Sequence, residues 1–243
     1  MSKIYVTGLG PGASDQMTIQ AGKALEKCPV IIGYTVYIDL IREEFPDKTF
    51  LSTPMRKEAE RCRMAFAEAQ KGQDVAMVCS GDAGIYGMAG LICEVGKDYP
   101  DVEIEIVPGI TAASGGAAVL GAPLMHDFAV ISLSDLLTPW EKIERRIRAA
   151  AEADFVISIY NPSSKKRADY LKKACEMILE YRSPDTVCGI VRNIGRDGET
   201  YEILSLERLK DTQVDMFTTV FVGNSNTMEL NGRMVTPRGY KDV

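Results

Sequence analysis

The chain has 243 residues, of which 46% are hydrophobic and 26% charged, with a formal net charge of −6 and a pI near 5.0. These values exclude a disordered or fibrous chain, allow a substantial core in one large domain or two smaller ones, and argue against a general nucleic-acid or anionic-membrane surface. No apolar run reaches the roughly 18 residues a spanning helix needs, and the amino terminus lacks a signal-peptide layout, so a cytoplasmic protein is expected.

Residues 3–7 read as a first strand, ending in the glycine run Gly8-Leu9-Gly10-Pro11-Gly12-Ala13; Ser14 or Asp15 is placed to cap a helix over 17–27. The run fits the dinucleotide fingerprint G-x-G-x-x-G/A, so a nicotinamide enzyme has to be weighed. Two features oppose it. Pro11 removes a backbone N–H from the loop that would hold a pyrophosphate, and the second strand, 29–33, runs into Tyr34-Thr35 where a ribose-binding acid is expected.

The spacing of Ala59, Cys62, Phe66 and Ala69 marks an amphipathic helix over 56–72, with Arg56, Lys57, Arg61 and Arg63 read as a solvated face. Next comes a short buried strand, 75–78, and the turn Cys79-Ser80-Gly81-Asp82-Ala83-Gly84-Ile85-Tyr86-Gly87, which leads into helix 88–96. A glycine-rich turn at the carboxyl end of a strand is where open α/β sheets bind ligands, because bare backbone permits close approach. Strand 102–107 then leads into Pro108-Gly109-Ile110-Thr111-Ala112 and a small-residue stretch through Ala118 that permits close packing against a neighbour or a ligand.

Residues 121–127 (GAPLMHD) form the expected domain boundary. Beyond it lie strand 128–133, a helix opened by Thr138-Pro139, strand 155–160, a helix over 165–181 capped by Ser163 or Ser164, and strands 186–191, 200–204 and 218–222. The Gly198-Glu199-Thr200 hairpin implies a mixed second sheet, and the tail after Asn231 looks loosely held. The expected architecture is a two-domain α/β protein, divided as 1–120 and 121–243.

Six cysteines without a C-x-x-C pair, mostly in apolar periodic segments, read as reduced buried thiols. With His126 as the lone histidine, a His-based metal centre is disfavoured and no metal is expected. A Ser-His-Asp hydrolase would also need His126, and no G-x-S-x-G elbow is present.

Taken in order, Gly8-Leu9-Gly10-Pro11-Gly12, Ser80-Gly81-Asp82, the 107–112 stretch VPGITA and the 218–223 stretch TTVFVG resemble the tetrapyrrole methylase family over essentially the whole chain. Within it, the 121–140 segment GAPLMHDFAVISLSDLLTPW, the 160–167 segment YNPSSKKR and the 191–196 segment VRNIGR resemble members that methylate C17 of precorrin-3B or cobalt-factor III, contracting the ring, in cobalamin biosynthesis. The resemblance implies S-adenosylmethionine as methyl donor, S-adenosylhomocysteine as product, a cofactor cleft between the domains and a homodimer. It places Ser80, Gly81, Asp82, Ile85, Thr111 and Ala112 at the cofactor, with Asn161, Asn193 and Thr219 added from the second domain. Gly10, Pro11 and Gly12 would face the tetrapyrrole, a use that suits Pro11.

One departure matters. Uroporphyrinogen methylases of the family carry a Tyr-Asp pair where this chain has Gly33-Tyr34, so the acid/base role proposed for that Asp does not transfer. His126, beside Asp127, is the candidate for acid/base work in the rearrangement, against the alternative of a structural histidine. The substrate that the resemblance implies is a polycarboxylate, cobalt-bound or metal-free, and Lys165, Lys166, Arg167, Arg192, Arg196, Arg56 and Arg238 are candidate partners for its carboxylates, with Arg192 and Arg196 preferred. A methylase acting on another precorrin carbon and a non-catalytic nucleotide- or tetrapyrrole-binding protein are the competing readings.

Overall fold

The computed structural model describes residues 1–164 and 167–241. It divides into two compact units, Met1–Ala112 and Ala113–Val243.

The first unit is built on five parallel strands, β1 (Lys3–Gly8), β2 (Val30–Tyr34), β3 (Thr49–Thr53), β4 (Val75–Cys79) and β5 (Glu103–Val107), in the order β3-β2-β4-β1-β5. The unbroken apolar sequence of β4 follows from burial on both faces, as parallel sheets require. On one face α3 (Glu58–Ala69) and α4 (Ala89–Val95) close a core with Phe66, Met77 and Ile92; on the other, α1 (Ile19–Lys27) and α2 (Thr35–Asp39) close one with Leu25, Ile31 and Ile38. Because every strand points the same way, the loops after β1, β4 and β5, which are neighbours in the sheet, leave from one edge.

In the second unit α5 (Ala112–Leu120) and β6 (Gly121–Ala122) precede a five-stranded sheet. Its strands are β7 (Phe128–Ser132), β8 (Val156–Tyr160), β9 (Val187–Arg192), β10 (Thr200–Ser205) and β11 (Thr218–Val222), ordered β10-β9-β11-β8-β7. The β7–β8 pair is parallel and the other pairs antiparallel, so the sheet is mixed. Helices α6 (Trp140–Glu152), α7 (Tyr170–Leu179) and α8 (Leu206–Lys210) bury Ile143, Ile178 and Leu209 against one face. α5 takes the other: a Cβ at Gly116 would stand 2.9 Å from the Phe221 ring, so the small residues of this helix permit contact with β11. That packing is why α5 belongs with the second unit, whereas the sequence reading placed the division after it.

Three local expectations change. Ser14–Gln16 is a single 3₁₀ turn, and the cap of α1 is Thr18, whose hydroxyl accepts the Ala21 N–H at 3.0 Å. Helix α7 begins only at Tyr170, after Asp169, so neither Ser163 nor Ser164 caps it. The tail is not loose through 236, because β13 (Arg233–Val235) pairs with β12 (Met228–Leu230) and β6, burying Met234 and Thr236.

Candidate active site

The carboxyl edge of the first sheet is closed by backbone meeting backbone. Leu9 donates its N–H to the Cys79 carbonyl at 2.8 Å, while Gly10 and Gly81 exchange two hydrogen bonds of 3.1 and 2.7 Å. These bonds engage the Leu9 and Gly10 amide N–H groups of the glycine run, Pro11 has none, and α1 starts only at Ile19, after the 3₁₀ turn. The nicotinamide reading therefore lacks its phosphate cradle. Asp82 carries the third loop: its Oδ1 accepts the N–H groups of Gly84 and Ile85 at 2.8 and 3.1 Å, and its Oδ2 accepts that of Gly109 at 3.0 Å. One carboxylate thus shapes its own turn and ties it to the loop after β5.

This clamp leaves a ledge. It is made of main chain: a Cβ at Gly81 would stand 3.7 Å from the Ala112 nitrogen and the Thr111 Cα, and the Gly81 φ of 67° favours glycine there. A glycine-floored ledge beside a rigid turn suits a ligand that must lie against main chain. Tyr86 holds a left-handed φ of 55° in the same turn, uncommon for a non-glycine residue, and Ile85 is 39% exposed.

Two hollows flank Ser80. The larger, about 170 Å³, is walled by Tyr34, Tyr37, Arg61, Cys79, Ser80 and Tyr86 among others. The smaller brings Gly10, Gly12 and Ser80 together with Leu40 and Ile41. Burial pushes the Cys79 thiol up to about 11, so at neutral pH it is a protonated wall residue rather than a nucleophile.

In the second unit the ends of β8 and β9 and the start of β11 share one sheet edge. Asn161 and Asn193 both follow strands with left-handed φ values of 52°. Asn161 donates its side-chain N–H to Ser132 Oγ at 2.9 Å, and the Tyr160 hydroxyl receives the Ala113 N–H at 2.6 Å. Thr219 pairs with Val191 in the register that sets Thr218 against Arg192. Arg192 donates to the Gln213 carbonyl at 2.9 Å, and the Arg196 guanidinium stands 5.7 Å from the Phe217 ring centre. His126 is exposed at the opposite edge, before β7, in a hollow of about 230 Å³ with Asp127, Asp154 and Asn224. Among the described residues no group of three His, Cys, Asp or Glu could hold a metal ion, and no helix is long and apolar enough to cross a membrane.

A family model described as Tetrapyrrole (Corrin/Porphyrin) Methylases matches residues 3–210. The chain belongs to this family. This tetrapyrrole methylase is 48% identical over 238 residues to the Salmonella typhimurium protein called probable cobalt-factor III C(17)-methyltransferase, with 98% of this chain and 99% of that one covered. It is 45% identical over 244 residues to the cobalt-factor III methyltransferase of Priestia megaterium, which covers 98% of this chain but 45% of that longer protein. Among solved structures, the crystal structure of the methyltransferase CobJ aligns with a TM-score of 0.90 at 36% identity, covering 98% of this chain and 100% of that one.

The Gly8, Ser80 and Val107 stretches of this methylase are far apart in sequence, and the fold brings them to one edge. Asn161, Asn193 and Thr219 are likewise gathered at one edge of their own sheet. Lys165 and Lys166 lie outside the described residues. Arg61 is a correction: expected on a solvated face, it is 4% exposed. The signal was present, since residues 61, 62, 65, 66 and 69 form one helical stripe and Arg61 lies on it.

Proposed function

We propose that this tetrapyrrole methylase transfers the methyl group of S-adenosylmethionine to C17 of cobalt-factor III or of metal-free precorrin-3B, with contraction of the ring. The observation that carries the reading is the 48% identity, over 98% of this chain, to a protein named for that reaction. Bound S-adenosylmethionine would supply an electrophilic methyl on a sulfonium. The first unit would hold it on the Gly81–Thr111–Ala112 ledge, with Ser80 and Ile85 beside it. Asp82 contributes by holding the turn, since both of its oxygens already accept backbone N–H groups. Asn161, Asn193 and Thr219 are the second unit's proposed cofactor contacts. Gly10, Pro11 and Gly12 are proposed on the macrocycle side, and Arg192 and Arg196 as partners for its carboxylates.

An in-line displacement at an electron-rich carbon asks the protein mainly for alignment and exclusion of water, and alignment alone is worth about 7–11 kcal/mol in favourable models. Incubation with S-adenosylmethionine and factor III, with and without cobalt and with carbon-13 at C20, tests the assignment. The expected product gains one methyl and shows C20 displaced from the ring. A methyl gained at another carbon would refute the C17 reading.

For His126 the position favours the structural alternative over the acid/base one. It precedes β7, while Ser132 is the last residue of that strand and Asn161 follows its parallel neighbour β8, a separation of roughly 17 Å at about 3.3 Å per residue. We therefore expect His126→Gln to keep kcat/KM within about twofold. A hundredfold loss with unchanged thermal stability would restore the histidine to the chemistry.

A further inference from the structure

Among the described residues no carboxylate pairs with the buried charge at Arg61. Its Nε donates to Thr53 Oγ1 at 3.0 Å, one terminal nitrogen to the Pro54 carbonyl at 3.3 Å, and the other to Met88 Sδ at 3.8 Å. A thioether is a weak acceptor, and a guanidinium has five N–H groups to satisfy. The buried Arg182 is a contrast: it meets the carbonyls of Gly223, Ala150, Ala151 and Phe155 and stands 3.8 Å from the Asp154 carboxylate. Burying an ion without a counter-charge is costly, so folds keep such an ion where a partner will arrive or where carbonyls surround it. Only Arg182 has that surround.

Arg61 also faces space. It walls the 170 Å³ hollow together with Tyr34, Tyr37, Ser80 and Tyr86. The carboxylate on that wall is Glu58, which accepts the Arg56 N–H at 3.1 Å; no ion pair joins it to Arg61. The hollow is smaller than the roughly 300 Å³ at which pockets begin to hold whole drug-sized ligands. It suits a side arm. An arm seated there would carry the body of its ligand past Ser80.

We propose that Arg61 is a substrate-recognition residue whose guanidinium receives one acetate or propionate arm of the acidic macrocycle inside this hollow. The proposal rests on the methylase reading above and deepens it. The fork of N–H donors matches a carboxylate, and Lys in its place would offer a point charge without that match.

Two measurements test it. In steady-state assays with cobalt-factor III, Arg61→Gln should raise KM at least tenfold, with kcat and the S-adenosylmethionine Kd within about threefold, and Arg61→Lys should recover part of the loss. An unchanged KM in Arg61→Gln would overturn the proposal. Should that variant fail to fold, the unaltered protein still decides: its Arg61 Nε–H signal, assigned by through-bond correlation to the backbone, should shift on adding sodium propionate and stay fixed on adding propionamide. No shift with propionate overturns the site. Since this second readout needs no turnover, a wild-type protein that transfers no methyl yet shows the shift would refute the C17 reading while leaving the carboxylate site standing. Normal transfer with neither a KM change nor a shift would do the reverse.

Discussion

Asp82→Ala is expected to weaken S-adenosylmethionine binding at least tenfold and to lower the stability of the protein by about 2–3 kcal/mol. The reason is the number of groups one side chain serves. Removing it orphans the N–H groups of Gly84, Ile85 and Gly109 together. Hydrogen bonds to a charged acceptor are worth about 1.5–3 kcal/mol each when buried, and the half-buried position of Asp82 discounts the sum because water can replace part of the loss. Asp82→Asn sharpens the test. An amide keeps one acceptor oxygen, so it can serve the Gly84 and Ile85 pair or Gly109, but its NH₂ end would face a donor at the other. Asn should therefore fall between Asp and Ala in melting temperature, yet resemble Ala in cofactor affinity, because that affinity depends on the turn being tied to the 109 loop. Calorimetry with S-adenosylmethionine and thermal unfolding of the three proteins check this; wild-type affinity in Asp82→Ala would show that the clamp does not shape the cofactor site and would overturn the proposed ledge.

How much of this was legible before folding depends on the reach of each signal. Strands such as 75–78 and the Gly198-Glu199-Thr200 hairpin are local, and periodicity or turn chemistry suffices to place them. β3 escaped because its burial is uneven and its sequence, Thr49–Thr53, does not alternate cleanly. The tail after Asn231 looked loose because a three-residue strand is held by β6, which lies more than a hundred residues earlier in the chain. For the site, the three loops were visible as glycine-rich turns, but what the glycines do was not. Gly10 and Gly81 are partners across the sheet edge, and no local rule pairs residues so far apart. That Asp82 also ties its own turn to the loop after β5 rests on a bond to Gly109, 27 residues on, which no local pattern announces. Arg61 is the opposite case: its place on the apolar stripe is readable from spacing alone, but arginine is a residue type mostly found at the surface, so composition and periodicity point in opposite directions there.

Gly8→Ala is expected to be the more damaging change, costing about 3 kcal/mol or more and leaving little folded protein at growth temperature. A Cβ on Gly8 would stand 2.6 Å from the Gly81 carbonyl oxygen, 2.8 Å from the Gly109 nitrogen and 2.9 Å from the Gly109 Cα. All three neighbours are backbone, so no rotamer change relieves the clash; relief requires the 81 and 109 loops to move apart. That movement would strain the paired hydrogen bonds between Gly10 and Gly81 and the bond from Gly109 to Asp82, so the same methyl group attacks packing and the clamp at once. Gly22→Ala is the control. It lies inside α1 with nothing within 4 Å of the new Cβ, and there the same methyl should stabilise by about 0.5–1 kcal/mol through a less flexible unfolded chain and better helix propensity. Urea unfolding of both variants separates the two mechanisms. A loss below about 1 kcal/mol at Gly8 would mean that the junction of the three loops yields easily, and the ledge that depends on its rigidity would lose its physical basis.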